Sequence, residues 1–363
     1  KNTDKLFALN FEGSSEEGML FPKVDKQIVN TATIEGWWKL DGTQFAQYIS
    51  GEGIFLVAVA GDAQIPDNTL ALVAGRYSQF TSTKPVVKPG QWQHIAVTLN
   101  QKKASPNDWS FTTTIEVYVD GEKIEMKREG RDGFFFKNFA LNHPIKGQNA
   151  MFRIWNVIRT EDEIKANMSK TVRTGADLVL PSGCVGEYIY TEGQGKASEY
   201  GDDGVFTAIV SERENVWQPI KNTIANIEVE GQLIPVAYSS AEALVTMPQD
   251  FADFANVKVK FTPDWPGTKI QFNGSDITEG QVFDFSNADH KLTFKATKSD
   301  LFGLTLQQEV TVKLVNDLSN ACDIVKLSVL KNQNSGLRIL SFQNQRKRLI
   351  WKHKMNRLQV SSI

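Results

Sequence analysis

FRIWNVIRTEDEIKANM, residues 152–168, changes from the pattern of a β-strand to that of an α-helix within a few positions. Phe152 and Ile154 are separated by one polar residue, as on the buried face of a strand. Thr160 followed by Glu163 is a capping box, in which each side chain accepts a hydrogen bond from the other residue's backbone N–H. The stretch therefore predicts a strand that leads directly into a short helix.

The predicted helix has one apolar face, because Ile164 and Met168 are four positions apart. On both sides of it the chain alternates apolar and polar residues, as half-buried strands do. ATIEGWWKL (32–40) alternates strictly, and TTIEVYVDGEKIEM (113–126) has Asp-Gly between two alternating halves. Asp-Gly favours the type I′ turn of a β-hairpin. The sequence therefore predicts a β protein with one short helix.

The composition is ordinary for a soluble globular protein. Hydrophobic residues make up 41% of the 363 residues and charged residues 23%. The 40 basic and 42 acidic residues give a net charge of −2, which provides no overall attraction to nucleic acid or to an anionic membrane. No apolar run reaches the roughly 18 residues of a transmembrane helix. We therefore expect no nucleic-acid partner and no transmembrane segment.

The two cysteines and the first residue predict little chemistry. Cys184 and Cys322 are expected to lie in different domains as partly buried thiols, because their spacing fits neither a disulfide nor a metal site. The chain starts at Lys1 rather than Met, so a processed or trimmed N-terminus is expected.

The length of the chain and the change in its sequence pattern after about residue 219 predict two or three domains. Strand patterns fill residues 1–219, and PIKNTIA (219–225) is interpreted as a linker. Residues 222–318 contain about seven strand patterns spaced roughly ten residues apart, the scale of an immunoglobulin-like sandwich. Residues 319–363 are interpreted as the start of a further module or an atypical basic tail. Residues 338–363 have no acidic residue, and either a non-native C-terminus or binding to nucleic acid or lipid headgroups would fit that composition.

Several motifs occur together in an order that resembles one family. WQHIAV (92–97) is followed by VYVDG (117–121), and RIWN (153–156) is followed by Arg-Thr and Glu-Ile. Over residues 1–219 the chain thereby resembles laminin-G-like, concanavalin A-like jelly-roll domains. Residues 222–318 resemble the Ig-like modules of surface lipoproteins from gut-dwelling bacteria. The expected fold is all-β: a concanavalin A-like jelly-roll sandwich with one short helix, followed by an Ig-like β-sandwich.

The resemblance implies a scaffold role for the opening stretch. In this family the strand and helix of residues 152–168 seal the sandwich. Ile164 and Met168 would pack against one end of a sheet, and Trp155 would anchor the strand before them. The resemblance likewise implies a structural role for His94. The helix therefore identifies the fold and leaves the function open.

The sequence contains no clear catalytic motif. Whether the protein is an enzyme therefore stays open, and the motifs favour a protein that is not one. Concanavalin A-like glucanases carry carboxylates in the order E-x-D-x-x-E on one strand, because a retaining acid and nucleophile must be about 5–5.5 Å apart. The nearest acidic groups here are residues 161–163, in the first turn of a helix, and Glu116 with Asp120, at a hairpin. The four histidines are scattered, without H-E-x-x-H, and no G-x-S-x-G exists.

Sugar-binding residues are predicted from the aromatic side chains, which cover the apolar face of a pyranose. Trp37 and Trp38 are adjacent on a strand, so one faces the core and the other the opposite side. We expect Trp37, on the face with Glu35, to line the concave sheet. Trp109, in a polar loop, and Phe135, in a run of three phenylalanines, are further candidates, although core packing is the alternative for the phenylalanines.

The resemblance also implies calcium as a cofactor. Relatives in this family bind it through loop carboxylates, amides and backbone carbonyls, and Ca²⁺ takes six to eight oxygen ligands. Glu12, Asp202 and Asp203 fall in loops that lie near one another in the family fold. The alternative is that these loops are simply solvated.

The resemblance thus implies a secreted or surface-anchored bacterial protein, with a lipoprotein anchor before Lys1. Its predicted function is non-catalytic binding of a poly- or oligosaccharide. One alternative is a glycoside hydrolase with a non-standard acid pair, which an alternating pair facing an aromatic cleft would favour. The other is an adhesin that binds a host or cell-surface protein, which a flat polar face without aromatic residues would favour.

Overall fold

The computed structural model describes most of the chain. The described residues are 5–12, 18–20, 30–42, 46–52, 54–59, 66–74, 78–103, 105, 107, 111–130, 137–142, 146–191, 193, 207–209, 217–317, 329–332 and 336–339. Contacts divide the chain into two compact units. The first contains residues 1–226, 261–277 and 294–309, and the second contains residues 227–260, 278–293 and 310–363. This division cuts across the range 222–318, and the domain ranges predicted from the sequence stay predictions.

Residues 1–219 contain sixteen of the strands that the structure describes, and one helix follows the thirteenth. The strands are β1 (Phe7–Glu12), β2 (Gly18–Leu20), β3 (Thr31–Leu40), β4 (Ala46–Glu52), β5 (Ile54–Val59), β6 (Thr69–Ala74), β7 (Ser78–Ser82), β8 (Gln93–Lys103), β9 (Phe111–Val119), β10 (Glu122–Ile124), β11 (Met126–Gly130), β12 (Lys137–Asn142), β13 (Lys146–Trp155), β14 (Cys184–Ile189), β15 (Thr207–Ile209) and β16 (Trp217–Pro219). The helix is α1 (Glu161–Asn167).

The later strands continue the β architecture. They are β17 (Ile224–Val229), β18 (Ala237–Tyr238), β19 (Glu242–Met247), β20 (Val257–Pro263), β21 (Lys269–Phe272), β22 (Ser275–Asp276), β23 (Val282–Phe283), β24 (Lys291–Leu301), β25 (Leu304–Asn316), β26 (Val329–Asn332) and β27 (Gly336–Ile339). The described part of the chain is therefore nearly all-β, as predicted.

Two eight-stranded antiparallel sheets build the first unit. Sheet A has the order β10-β9-β8-β3-β13-β1-β16, with β14 also paired to β13, and sheet B has the order β11-β7-β6-β5-β4-β12-β2-β15. Strands that are distant in sequence, such as β1 and β13, lie side by side. Two large sheets with such crossovers agree with the predicted jelly-roll sandwich.

One apolar face of sheet A contributes to the main core. Ile34, Trp38 and Leu40 of β3 alternate into it, and Leu70 and Leu72 reach it from β6 of sheet B. Each of these side chains is at most 2% exposed. The prediction that one of the two adjacent tryptophans is a core residue is therefore confirmed for Trp38.

The hairpin and the helix form where the sequence predicts them. Asp120 and Gly121, between β9 and β10, have φ values of 53° and 82°, the left-handed backbone that a type I′ turn requires. At the start of α1, Thr160 accepts a hydrogen bond from the Glu163 N–H, and the Glu163 carboxylate accepts one from the Thr160 N–H. Ile164, the buried residue of the helix, packs against two side chains of sheet A.

The second unit has its own strand pairings. β18, β19 and β25 are neighbours in one sheet, and β19 runs parallel to the later part of β25, from Glu242 opposite Thr311 to Met247 opposite Asn316. β20 pairs with β23 in another sheet. Val245 and Val312 are fully buried. These strands show a β structure, and the Ig-like assignment stays a prediction.

Candidate functional site

A row of buried charges crosses sheet A on the face opposite the main core. Arg153 of β13 pairs in register with Glu35 of β3 and with Glu187 of β14. Its Nη1 donates to Glu35 Oε1 at 2.8 Å and its Nε to Glu187 Oε2 at 2.9 Å. The indole N–H of Trp155 also donates to Glu35 Oε1 at 2.8 Å. The charges lie together because directly opposite residues of an antiparallel pair share a face.

Burial and ion pairing shift the pKa of Glu35 in opposite directions. Burial raises the pKa of this carboxyl, but the Arg153 guanidinium and His94, whose Nε2 lies 3.2 Å from Glu35 Oε2, lower it more. The net effect holds the pKa of Glu35 far below its usual range. Glu35 is therefore a stable carboxylate and is unsuited to donate a proton as a general acid.

The charge row also fastens the chain that follows α1. Glu187 accepts hydrogen bonds from the Thr171 hydroxyl at 2.5 Å and from the Val172 N–H at 2.9 Å. Arg153 Nη2 donates to the carbonyl of Lys170 at 2.7 Å. The three charged residues of this row, Glu35, Arg153 and Glu187, are at most 2% exposed. The row therefore stabilises the fold. Glu35 was expected to contact a ligand on an open face, but the structure places it at a covered position.

Trp37 lies on the same covered face. Its indole N–H donates to the Met168 carbonyl at 2.6 Å. Its ring centroid lies 5.0 Å from that of Trp265, which in turn stacks on Trp92 at 4.7 Å. All three tryptophans are at most 2% exposed, and Trp265 belongs to residues 261–277 of the first unit. Trp37 therefore belongs to a packed aromatic cluster and not to the expected open platform. A sugar can stack only on an exposed ring, so Trp37 does not offer one a surface.

The other predicted site residues are distributed differently. Trp109, Phe135, Asp202 and Asp203 lie outside the described residues. Glu12 ends β1, where it is exposed and pairs in register with Lys146. Within the described ranges no group of three His, Cys, Asp or Glu side chains is arranged to hold a metal ion. The calcium site therefore stays a prediction.

A groove opens on the first unit at the edge of sheet A. Its volume is about 570 Å³, within the usual range for small-molecule sites. It is lined by Lys5, Leu6, Phe7, Pro219, Ile220, Lys221, Leu304, Thr305, Leu306 and Gln307. Three segments far apart in sequence thus meet there: the approach to β1, the end of β16 and the start of β25.

Strand pairing positions the first wall of this groove. β16 is the edge strand of sheet A and pairs with β1, with Phe7 opposite Pro219 and Leu9 opposite Trp217. Beyond this pairing, the Ile220 N–H donates to the Leu6 carbonyl at 2.9 Å. The residues interpreted from the sequence as the beginning of a linker therefore continue the sheet.

The second wall is amphipathic because strand residues alternate. Leu304 and Leu306 are partly buried and pack against the cluster that contains Leu6. Thr305 and Gln307, which alternate with these leucines along the strand, are exposed. The groove thus combines an apolar floor with hydroxyl, amide and ammonium groups at its rim, the mixture expected of a small-molecule site.

Sequence reasoning did not find these residues. Lys5 and Lys221 are ordinary surface lysines in the sequence, and the alternation of LTLQ (304–307) indicates a strand but not its neighbours. The available signal was the pair of apolar residues, Pro219 and Ile220, in the supposed linker, since an exposed linker has little reason to be apolar.

Comparisons with known proteins support the fold. Residues 13–165 match the family described as the concanavalin A-like lectin/glucanases superfamily. Human pappalysin-1 is 26% identical over 203 residues, which cover 48% of this chain and 12% of that protein. The chain thus spans a small part of this relative's length. The family match confirms the predicted resemblance for this region.

Two solved structures show distant similarity. One is a protein from Bacteroides ovatus described as a candidate carbohydrate-binding protein, with 21% identity, a TM-score of 0.39, and coverage of 60% of this chain and 58% of that chain. The other is a heptameric SAP-like pentraxin from Limulus polyphemus, with 11% identity, a TM-score of 0.31, and coverage of 57% and 97%.

Proposed function

We propose that this chain, whose residues 13–165 match the concanavalin A-like lectin/glucanases superfamily, binds a poly- or oligosaccharide without cleaving it. The observation that carries the proposal is the groove on the first unit, with its apolar floor and polar rim. Apolar side chains suit the C–H faces of sugar rings, and Thr305 and Gln307 offer hydrogen-bonding groups for hydroxyls.

The chemistry of the groove favours binding over hydrolysis. Glycoside hydrolysis by the usual route needs two carboxyl groups that flank the scissile bond, and none of the residues lining the groove is acidic. Glu35 and Glu187 are buried in ion pairs with Arg153. Glu116 bonds to Lys123 and to the Tyr118 hydroxyl at the hairpin. These described carboxylates thus have structural partners.

The proposed location is the bacterial cell surface or the extracellular space, where polysaccharides are accessible. A lipid anchor is part of this proposal. Among the described residues, no helix is long and apolar enough to cross a membrane.

Calcium is a further part of the proposal. Glu12 is exposed at the end of β1 and would contribute carboxylate oxygens, and the predicted partners are Asp202 and Asp203. A chelator therefore belongs in the binding test. If binding survives EDTA, the calcium part of the proposal is contradicted and the saccharide part is not.

Affinity electrophoresis in gels that contain plant, host or microbial polysaccharides tests the proposed function. We expect at least one polysaccharide to retard the full chain without releasing reducing sugar. Thr305→Trp should abolish the retardation because the indole fills the groove. Thr112→Trp, at an exposed position of β9, should not.

The outcomes separate the alternatives. Released reducing ends would show a glycoside hydrolase. Retardation that Thr305→Trp leaves unchanged would place the saccharide site outside the groove. A chain that no polysaccharide retards would contradict glycan binding and direct the search to protein partners.

A further inference from the structure

Lys5 and Lys221 lie opposite each other at one end of the groove. The hydrogen bond from the Ile220 N–H to the Leu6 carbonyl continues the antiparallel register of β1 and β16. One further step of this register places Lys5 across from Lys221. Directly opposite residues project to the same side of a ladder, with Cβ atoms roughly 4.5–5.5 Å apart. Two exposed lysine side chains therefore start from neighbouring positions at this end of the groove, within reach of one ligand group.

The groove offers these two lysines no carboxylate. None of its lining residues is acidic, and in the described part of the chain neither Lys5 nor Lys221 forms a salt bridge. Lysines elsewhere in the first unit behave differently: Lys39 pairs with Asp264 at 2.6 Å, and Lys165 pairs with Glu122. The groove is thus a local positive site on a chain whose net charge is −2.

Like charges on directly opposite residues destabilise a strand pair. An anion between the two ammonium groups would replace their repulsion with two charge-assisted hydrogen bonds, which are the strong kind. A ligand group with a negative charge therefore gains more at this end of the groove than a neutral hydroxyl does.

We propose that the groove binds an acidic oligosaccharide whose carboxylate or sulfate lies between Lys5 and Lys221. This proposal rests on the proposed function, which makes the ligand a saccharide. The apolar floor formed with Leu304 and Leu306 takes the C–H face of a neighbouring sugar ring. Thr305 and Gln307 bind its hydroxyls.

Isothermal titration calorimetry on the full chain at low salt tests the charge directly. The first probe pair is trigalacturonic acid and its methyl ester, which differ in charge and share a backbone. The second pair is a κ-carrageenan tetrasaccharide and its desulfated form. We expect the charged member of at least one pair to bind about tenfold more tightly or better, since each lysine adds a charge-assisted bond. The pair that shows the difference identifies the anionic group.

A double variant, Lys5→Gln with Lys221→Gln, should remove that preference and leave the affinity for the neutral member within about threefold. The matched control is Lys84→Gln with Lys102→Gln, at two exposed lysines of the same unit outside the groove. It changes the net charge equally and should keep the preference. Raising the salt concentration should weaken binding of the acidic probe to the wild type more than to the double variant.

Each result has a distinct meaning. Equal affinity for acidic and neutral probes overturns the charge proposal and leaves saccharide binding intact. Unchanged affinity of the double variant overturns the role of these lysines. Equally tight binding of a hexaglutamate peptide overturns the saccharide as the preferred anion. Failure of every acidic and neutral saccharide to bind overturns both proposals.

Discussion

The single side chain of Arg153 bonds to two buried carboxylates, one on each of two strands, β3 and β14, that pair with β13. It has no exposed surface and bonds to both Glu35 and Glu187. Arg153→Leu should therefore cost about 3–5 kcal/mol, because it leaves two carboxylates buried without their partner. Urea unfolding followed by tryptophan fluorescence measures this free energy.

Arg159 provides the matched control. Its guanidinium lies 4.1 Å from the ring centroid of Trp155, and it pairs with Glu163 at the surface. Arg159→Leu should cost no more than about 1 kcal/mol, as a partly exposed contact does. Equal losses for the two variants would show that the buried position of Arg153 is unimportant.

The low pKa of Glu35 also predicts how stability varies with pH. The unfolded chain takes up a proton at Glu35 near the usual glutamate pKa of about 4.3, whereas the folded chain keeps the carboxylate charged to lower pH. Its contribution is therefore present above about pH 5 and is lost as pH falls. Glu35→Gln should lose less stability between pH 6 and pH 3 than the wild type does, in urea melts at each pH.

The buried thiol of Cys184 should be inert. Burial raises its pKa to about 12, and the reactive species of a cysteine is the thiolate. Iodoacetamide at pH 8 should modify the Cys184 peptide at least about 100-fold more slowly in the folded chain than in urea, because burial also blocks access. Mass spectrometry of that peptide gives the rate, and rapid labelling without urea would show an exposed thiol.

At the scale of an element, β3 depends on a glycine. A Cβ at Gly36 would lie 2.6 Å from the Met151 carbonyl oxygen and 2.5 Å from the Trp38 ring. Gly36→Ala should therefore cost about 1–3 kcal/mol, as overpacked cores do. A Cβ at Gly42, just beyond the strand, would have no atom within 4 Å, so Gly42→Ala should be nearly neutral. Thermal melts that rank the two variants the other way would contradict this packing.

The elements were largely predictable because their signals are local. The capping box at Thr160 and the turn at Asp120 each depend on a few neighbouring residues, and both form as expected. The alternation of β3 also predicted that Trp37 and Trp38 face opposite sides. It could not predict which side is open, because Trp265, which covers Trp37, comes from a distant segment.

The groove could not be predicted from local sequence patterns either, because its walls also come from distant segments of the chain. Lys5 and Lys221 become neighbours only through the pairing of β1 with β16, and the second wall comes from the start of β25. A strand's own sequence specifies its alternation, but its partner is chosen by contacts along the whole chain. The fold was therefore more predictable than the site.

At the scale of the whole molecule, the first unit is discontinuous in sequence. Residues 261–277 and 294–309 belong to it, and Trp265 and Leu301 pack in one cluster with Trp37 and Trp92. A truncated chain ending at residue 221 should thus be less stable than the full chain, and should bind the dye ANS through the uncovered tryptophans. It should also lose saccharide binding with the second wall of the groove.

Trp265→Ala in the full chain separates loss of packing from truncation. It should cost about 3–5 kcal/mol, because a fully buried indole is removed. If the truncated chain and the full chain unfold at the same temperature, residues 261–277 and 294–309 do not stabilise the first unit.

The discontinuity has a consequence for synthesis on the ribosome. Translation proceeds at roughly 5–20 residues per second, so several seconds separate the emergence of residue 226 from that of residue 309. During this interval the nascent chain has its sheet A residues but not the segments that cover Trp37 and Trp92. The growing polypeptide therefore exposes an apolar surface that is prone to aggregation. A chaperone that binds this surface during translation would protect the chain until the covering segments are synthesised.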